Sequence, residues 1–432
     1  MSVPTWSRSV FYGRGGRSRT KKRSSSNMAM RERLINAGLV VVSLVAGYLV
    51  LDFGVFHRFI DQVPLRLNQH LGRLKVFGQS SKAGPIPRDY VAVFGDSYAA
   101  GAGAWLFEVG NDGNPDFQAT HVLHRLTGRD VVTFGAVGTG QLQNAVVEPV
   151  KAFESINIGS AFHLDAPGKI FAYFYEGNDL SDNRFEIREL LRRTNGSPSE
   201  EDIAAYVREV AAEESARIRH GWHPWKNAFL LDFALNLLRY NWRQLLGTNP
   251  PVPLFRPPLP GTTTAARIGG RTVALPDGLQ GPDLELTPEQ TATGVEVFRA
   301  SLTFFRGYFA GVPITVVYIP AVLSAYDVVS NKVSVAVQPN NSPRYQIVHD
   351  AKAVPARSDE ICRLIQAEAA RLGVGFLDTR STMRAASAKE PLHGPLDWDH
   401  FNRYGYTTLA EALAKALTAG DAAGSCVQLA AQ

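Results

Sequence analysis

The chain has 432 residues, 45% of them hydrophobic, enough to bury a sizeable core and carry an additional element. Its formal net charge of +5 is concentrated in residues 1–33, where Arg8, Arg14, Arg17, Arg19, Lys21, Lys22, Arg23, Arg31 and Arg33 stand against Glu32 alone, so that the remainder of the chain is slightly acidic. A nucleic-acid partner is thereby excluded, because its binding face would need basic residues gathered on the folded part of the chain.

Residues 1–33 read as a basic tail and residues 34–56 as a membrane anchor. Leu34 to Leu51 carries no charge, and with Phe53 to Phe56 it reaches the ~20 residues that a helix needs to cross the hydrocarbon core. Basic residues ahead of such a span stay on the cytoplasmic side. The expectation is a single-pass protein with a cytoplasmic N-terminus and its remainder in the periplasm or exterior, in contact with the bilayer through residues 34–56. A cleaved signal peptide is the rival reading, and the long basic region and the lack of a small-x-small site after the apolar run count against it. Residues 57–88 read as a membrane-proximal linker.

Within 89–180, three β-branched or aromatic runs each end at a glycine. Tyr90 to Phe94 runs into Gly95-Asp96-Ser97, Val131 to Phe134 into Gly135-Ala136-Val137-Gly138-Thr139-Gly140, and Ile170 to Tyr175 into Glu176-Gly177-Asn178-Asp179. Residues 181–286 form a largely helical insertion, with helices expected at 185–193, 203–219 and 230–246 and a proline-rich break at 249–260. It reads as a lid, with an accessory insertion or membrane-proximal support as the alternative. Thr287-Pro288-Glu289-Gln290 opens the second part, 287–418, with the signature of a capping box. Beyond it come strands at 313–319 and 374–378, a helix at 358–372, a loop containing Asp397 and His400, and a helix at 407–417; 419–432 is a tail. Five buried strand-like runs separated by helices predict an α/β fold with a mostly parallel five-stranded sheet, whose ligands bind beyond the strands' carboxyl ends.

The chemistry lies at those ends. A serine on a tight turn between strand and helix exposes its hydroxyl, and an aspartate three residues before a histidine can hold the ring through Nδ1. Ser97 is the candidate nucleophile, His400 the base and Asp397 the orienting carboxylate; His393 is the second choice of base. Neither Cys-x-x-Cys nor a tight histidine cluster is present, so no metal or other cofactor is expected. In an oxidising exterior Cys362 and Cys426 pair, or they remain free thiols.

Taken in order, Gly95-Asp96-Ser97, Gly138, Asn178 in Gly177-Asn178-Asp179, and Asp397 with His400 resemble the four blocks of the SGNH (GDSL-type) hydrolase family. Thr133 stands where an asparagine is common, and Glu176 where a glycine often is. The resemblance implies a flavodoxin-like three-layer α/β/α sandwich. It also implies an oxyanion hole built from the Ser97 N–H, the Gly138 N–H and the Asn178 side-chain amide. The expected activity is a serine ester hydrolase that removes O-acetyl or other O-acyl groups from an envelope or secreted polysaccharide through an acyl-enzyme on Ser97. An O-acyltransferase, a lipid esterase and an inactive glycan-binding module are the alternatives, and the oligomeric state is left open.

Overall fold

A computed structural model describes residues 20–63, 65–103, 118–158, 162–221, 229–245, 259–337, 345–419 and 425–429. The chain divides into two compact units, Met1–Phe56 and His57–Gln432. The first is dominated by α1, Thr20–Leu49, continued by a wider π-helical stretch, Val50–Phe56. The helical stretch Met28–Gln62 is long and apolar enough to cross a membrane, and Leu39, Val42 and Leu44 lie exposed on it. It is longer than the 34–56 read from the sequence, because helical winding continues at both ends, through Arg31, Glu32 and Arg33 on one side and His57 to Gln62 on the other.

The second unit is built on a parallel sheet of five strands: β1 Val91–Phe94, β2 Val131–Thr133, β3 Lys169–Tyr175, β6 Ile314–Ile319 and β9 Gly375–Asp378, in the order β2-β1-β3-β6-β9. Thr133, Val93, Phe171, Thr315 and Gly375 form one row across it. The strand order reverses at β1, which has β2 on one side and β3 on the other, and a crevice opens at such a switch point. Every residue of β1, β3 and β6 is buried, as expected of near-continuous apolar runs covered on both faces.

On one face Val93, Phe171, Tyr173 and Val317 join Val122 and Leu123 of α3 (Ala119–Thr127) and Leu409 and Leu413 of α12 (Arg403–Ala419) in a single apolar cluster. On the other face Phe94 packs on Phe134, Phe305 and Phe309, and Phe174 on Phe298. Phe298 and Phe305 belong to α9, Pro288–Tyr308, whose first turn carries the expected capping box: Thr287 N–H donates to Gln290 Oε1 at 3.0 Å and Gln290 N–H to Thr287 Oγ1 at 3.3 Å. Gly294 lets α9 lie close against α5, Asp179–Glu186, since a Cβ there would stand 2.9 Å from the Leu180 carbonyl oxygen.

Segments outside the sheet are bound into this unit. Residues 57–88, read as a linker, bury Leu71, Leu74 and Phe77, and Gln79 and Ser81 pair with the β2 edge: Thr133 N–H donates to Gln79 Oε1 at 2.8 Å and Val131 N–H to the Ser81 carbonyl at 2.9 Å. Their polar side chains gave no periodic signal. In the insertion, α6 (Arg188–Arg193) and α7 (Glu200–His220) bury Leu190, Ile203 and Val207 with Val297 of α9, while α8 spans Phe229–Leu245. The β4–β5 hairpin, Ala265–Ile268 and Arg271–Ala274, places Ala266 and Ile268 in the main cluster. A second antiparallel pair, β7 Lys332–Val337 with β8 Tyr345–Asp350, was not expected, nor was α4, Glu148–Asn157. The proline-rich break read at 249–260 falls mostly outside the described residues.

α10, Ala353–Arg371, carries Cys362, which is joined to Cys426 by a disulfide. The same region holds Arg380, fully buried at the start of α11 (Arg380–Ser387), paired with Asp359 and Asp378 at 2.9 Å each. Arg380 also donates to the Val427 carbonyl at 2.8 Å, so the disulfide and hydrogen bonds together fix residues 425–429.

Candidate active site

β1 delivers Ser97 to the first position of a short helix, α2 (Ser97–Ala100). Asp96 caps it, its Oδ1 accepting from Tyr98 N–H at 3.0 Å. The chain can turn this sharply because Gly95 has φ +152, where a Cβ would also lie 2.7 Å from the Tyr173 Cβ. Gly135 brings the β2 loop against the same turn: Ala136 N–H donates to the Gly95 carbonyl at 3.0 Å, and a Cβ on Gly135 would stand 2.2 Å from Ala100 N. Ser97 is 7% exposed, with its Oγ 3.4 Å from Asp96 Oδ2.

The loop that carries His400 is closed at its base by a bridge between His393 and Phe401 and by Asn402 N–H donating to the Leu392 carbonyl at 2.8 Å. Inside it, Asp397 Oδ2 lies 2.7 Å from His400 Nδ1, while Oδ1 accepts from the N–H groups of Asp399 (2.9 Å) and His400 (3.3 Å). Nε2 of His400 makes no hydrogen bond among the described residues. The loop meets the Ser97 turn through Tyr98, whose ring centroid is 5.7 Å from that of His400 and whose hydroxyl donates to the Asp399 carbonyl at 2.8 Å. Tyr406 adds a second tie, donating to the Ala102 carbonyl at 2.6 Å.

Electrostatics distinguish the two histidines. Burial works against a charge on His400, but the Asp397 hydrogen bond and carboxylate outweigh it and hold the ring's pKa above 6.5, with Asp399 and Asp96 acting in the same sense. His393 is buried between Tyr326 and Phe401, and burial together with the nearby His400 brings it down to about 3. A ring so weakly basic and so enclosed is a poor proton acceptor for Ser97. Burial raises Asp96 to about 6, opposed by the Tyr98 N–H, His400 and the Ser97 hydroxyl.

Two of the expected oxyanion donors, Gly138 and Asn178, lie on the segments that follow β2 and β3. The N–H groups of Gly135 and Gly140 are engaged, by Thr133 Oγ1 at 3.0 Å and Glu186 Oε1 at 2.6 Å, whereas that of Gly138 has no partner among the described residues. Gly138 sits exposed at the tip of the loop with φ +72, and no atom lies within 4 Å of where its Cβ would be. Glycine is needed there for its backbone conformation rather than to relieve crowding. Asn178 occupies the N-cap position of α5 without making a side-chain cap bond, and its Oδ1 is buried with no hydrogen-bond partner. Its Nδ2 donates to no group among the described residues either, so the amide donor is uncommitted, unlike a structural cap. The next residue, Asp179, does the structural work, accepting from Tyr175 N–H and Gln141 Nε2 at 2.8 Å each.

Sequence reasoning missed Tyr98, Glu176 and Glu186. Glu186 gathers the N–H groups of Gly140, Leu142 and Gln143 and so shapes the Gly138 loop; Glu176, fully buried, accepts from Ser324 Oγ at 2.6 Å and is raised by burial to about 7. The side chains of all three bond to groups far away in the sequence, so no local pattern marks them. Cys362, Asp378 and Cys426 bring three potential ligand atoms together, but both sulfurs are consumed by the disulfide and Asp378 by Arg380 and Val427.

No known protein-family description and no curated protein matches the chain. A protein of known crystal structure is similar to it with a TM-score of 0.31 and 12% identity, over 76% of this chain and 97% of that one.

Proposed function

We propose that the chain is a membrane-anchored serine ester hydrolase of the SGNH type, with its catalytic unit in the periplasm or exterior. The observation that carries the reading is the 2.7 Å contact of Asp397 with His400 Nδ1, on a loop tied to the Ser97 turn, with Nε2 left uncommitted. The order of the four sequence blocks and a sheet order of β2-β1-β3-β6-β9, that of flavodoxin-like three-layer sandwiches, support it further.

In this mechanism His400 Nε2 takes the Ser97 hydroxyl proton as Oγ attacks the ester carbonyl, and Asp397 stabilises the imidazolium. The oxygen of the tetrahedral intermediate is met by the N–H groups of Ser97 and Gly138 and the Asn178 amide. Collapse expels the alcohol with the proton from His400 and leaves an acyl-Ser97; water, activated by the same ring, releases the acid.

The basic segment ahead of the apolar helix supports the outward orientation. A tethered outward-facing esterase meets acylated envelope or secreted glycans, so an O-acetyl or other O-acyl group on such a polysaccharide is the proposed substrate. The packing of α6, α7 and the β4–β5 hairpin into the core favours a supporting over a covering role for those parts of the insertion. Hydrolysis of short-chain aryl esters, followed by assays on acetylated glycans with and without an added sugar acceptor, tests the reading and separates hydrolysis from acyl transfer.

A further inference from the structure

We propose that Tyr98 is a positioning residue for His400: its hydroxyl holds the peptide joining Asp399 to His400, and through it the direction in which the imidazole faces. The proposal rests on the reading of His400 as general base, and Tyr98 itself touches no reacting atom.

The peptide between Asp399 and His400 is held from both ends. Its carbonyl accepts from Tyr98 Oη at 2.8 Å, and its N–H, that of His400, donates to Asp397 Oδ1 at 3.3 Å. The other oxygen of the same carboxylate takes His400 Nδ1 at 2.7 Å. A rotation of this peptide therefore moves the ring and its partner together.

Tyr98 is suited to act as a fixed post. It is 1% exposed, its N–H is bound to Asp96 Oδ1 at 3.0 Å, and its ring lies against Tyr175 at 4.2 Å and edge-on to Phe401 at 4.9 Å. Tyr175 in turn donates to the Gln280 side chain. Since Tyr98 directly follows Ser97, one hydroxyl fixes the nucleophile's turn relative to the base's loop across a sequence separation of 301 residues. A misplacement of about 1 Å in such a pair costs roughly 10²-fold in rate.

The test is Tyr98→Phe in the full chain, purified in detergent, which removes the hydroxyl and keeps the ring. With an aryl acetate substrate, kcat is expected to fall about 10- to 100-fold with KM changed less than about twofold, because ground-state binding does not use the base. In ¹⁵N-histidine-labelled protein the hydrogen-bonded Nδ1 proton of His400 is expected to shift or vanish while the melting temperature holds. In an Asp397→Asn background the same substitution is expected to cost far less than in the wild type, since both act through one imidazole. Full additivity there, wild-type kcat, or an unmoved His400 resonance overturns the proposal. The resonance needs no turnover, so a wild type that neither hydrolyses esters nor takes a phosphonate label defeats the esterase reading, while the resonance still decides whether Tyr98 orients the ring.

Discussion

Asp397 Oδ2 lies 2.7 Å from His400 Nδ1, and this carboxylate keeps the imidazole more basic than its burial alone would allow. A base must be neutral to accept the Ser97 proton, so kcat/KM should rise with pH along a limb whose midpoint lies above 6.5, the ordinary value for histidine. Asp397→Asn removes the largest opposing charge; the midpoint should move to lower pH while the rate falls by about 10³- to 10⁴-fold. A pH–rate profile of both proteins checks the two effects together.

Asn178 offers a cleaner separation of binding from chemistry. Because its amide is uncommitted in the resting protein, Asn178→Ala should leave folding and KM nearly unchanged and lower kcat by about 10²–10³-fold. Steady-state kinetics decide it. A change confined to the melting temperature would return Asn178 to a structural role at the start of α5.

How much of this was open to sequence reasoning depends on where each residue's partners lie. The strands β1, β3 and β6 were legible because every residue in them is buried, giving near-continuous apolar runs such as Ile314–Ile319, and β1, β2 and β3 each run into a glycine within two residues. The α9 start was legible because the capping box is local, Thr287 to Gln290. The pairing of Asp397 with His400 was legible for the same reason. Tyr98 was not, since its partner Asp399 is distant in sequence and a tyrosine after Ser97 reads as ordinary core. Arg380 was hidden in the same way: its charge is satisfied by Asp359, Asp378 and Val427, of which only Asp378 is nearby in the chain. The β7 strand carries a period-2 pattern at Val333, Val335 and Val337, but so short a pattern is ambiguous without its partner β8.

Buried acids set the pH dependence of stability. Burial raises Glu176 from 4.5 to about 7, and it raises Asp283 to about 6, so the folded chain holds protons that the unfolded chain releases. Their stabilising contribution is complete below about pH 4 and is lost as pH rises through those folded values; His400, also raised, acts in the same direction. The melting temperature should therefore be lower at pH 8 than at pH 5.5, and Glu176→Gln should flatten that difference. Thermal unfolding across the range is the check.

The Cys362–Cys426 disulfide closes a loop with a sequence separation of 64. Replacing both cysteines by alanine should lower stability by about 2–4 kcal/mol in denaturant unfolding, with activity retained when folded. Residues 425–429 keep their bonds to Arg380 and Asp359 in that variant, so limited proteolysis should release the tail only at raised temperature.

The central claim is that Ser97 is a nucleophile driven by His400. The direct measurement is labelling of the full-length protein by a serine-directed fluorophosphonate, with the modified residue located by mass spectrometry, in the wild type, Ser97→Ala and His400→Ala. The account predicts a single label on Ser97 in the wild type, none in Ser97→Ala and a rate reduced by several orders of magnitude in His400→Ala. An unlabelled but folded wild type, or labelling that survives in Ser97→Ala, would contradict it.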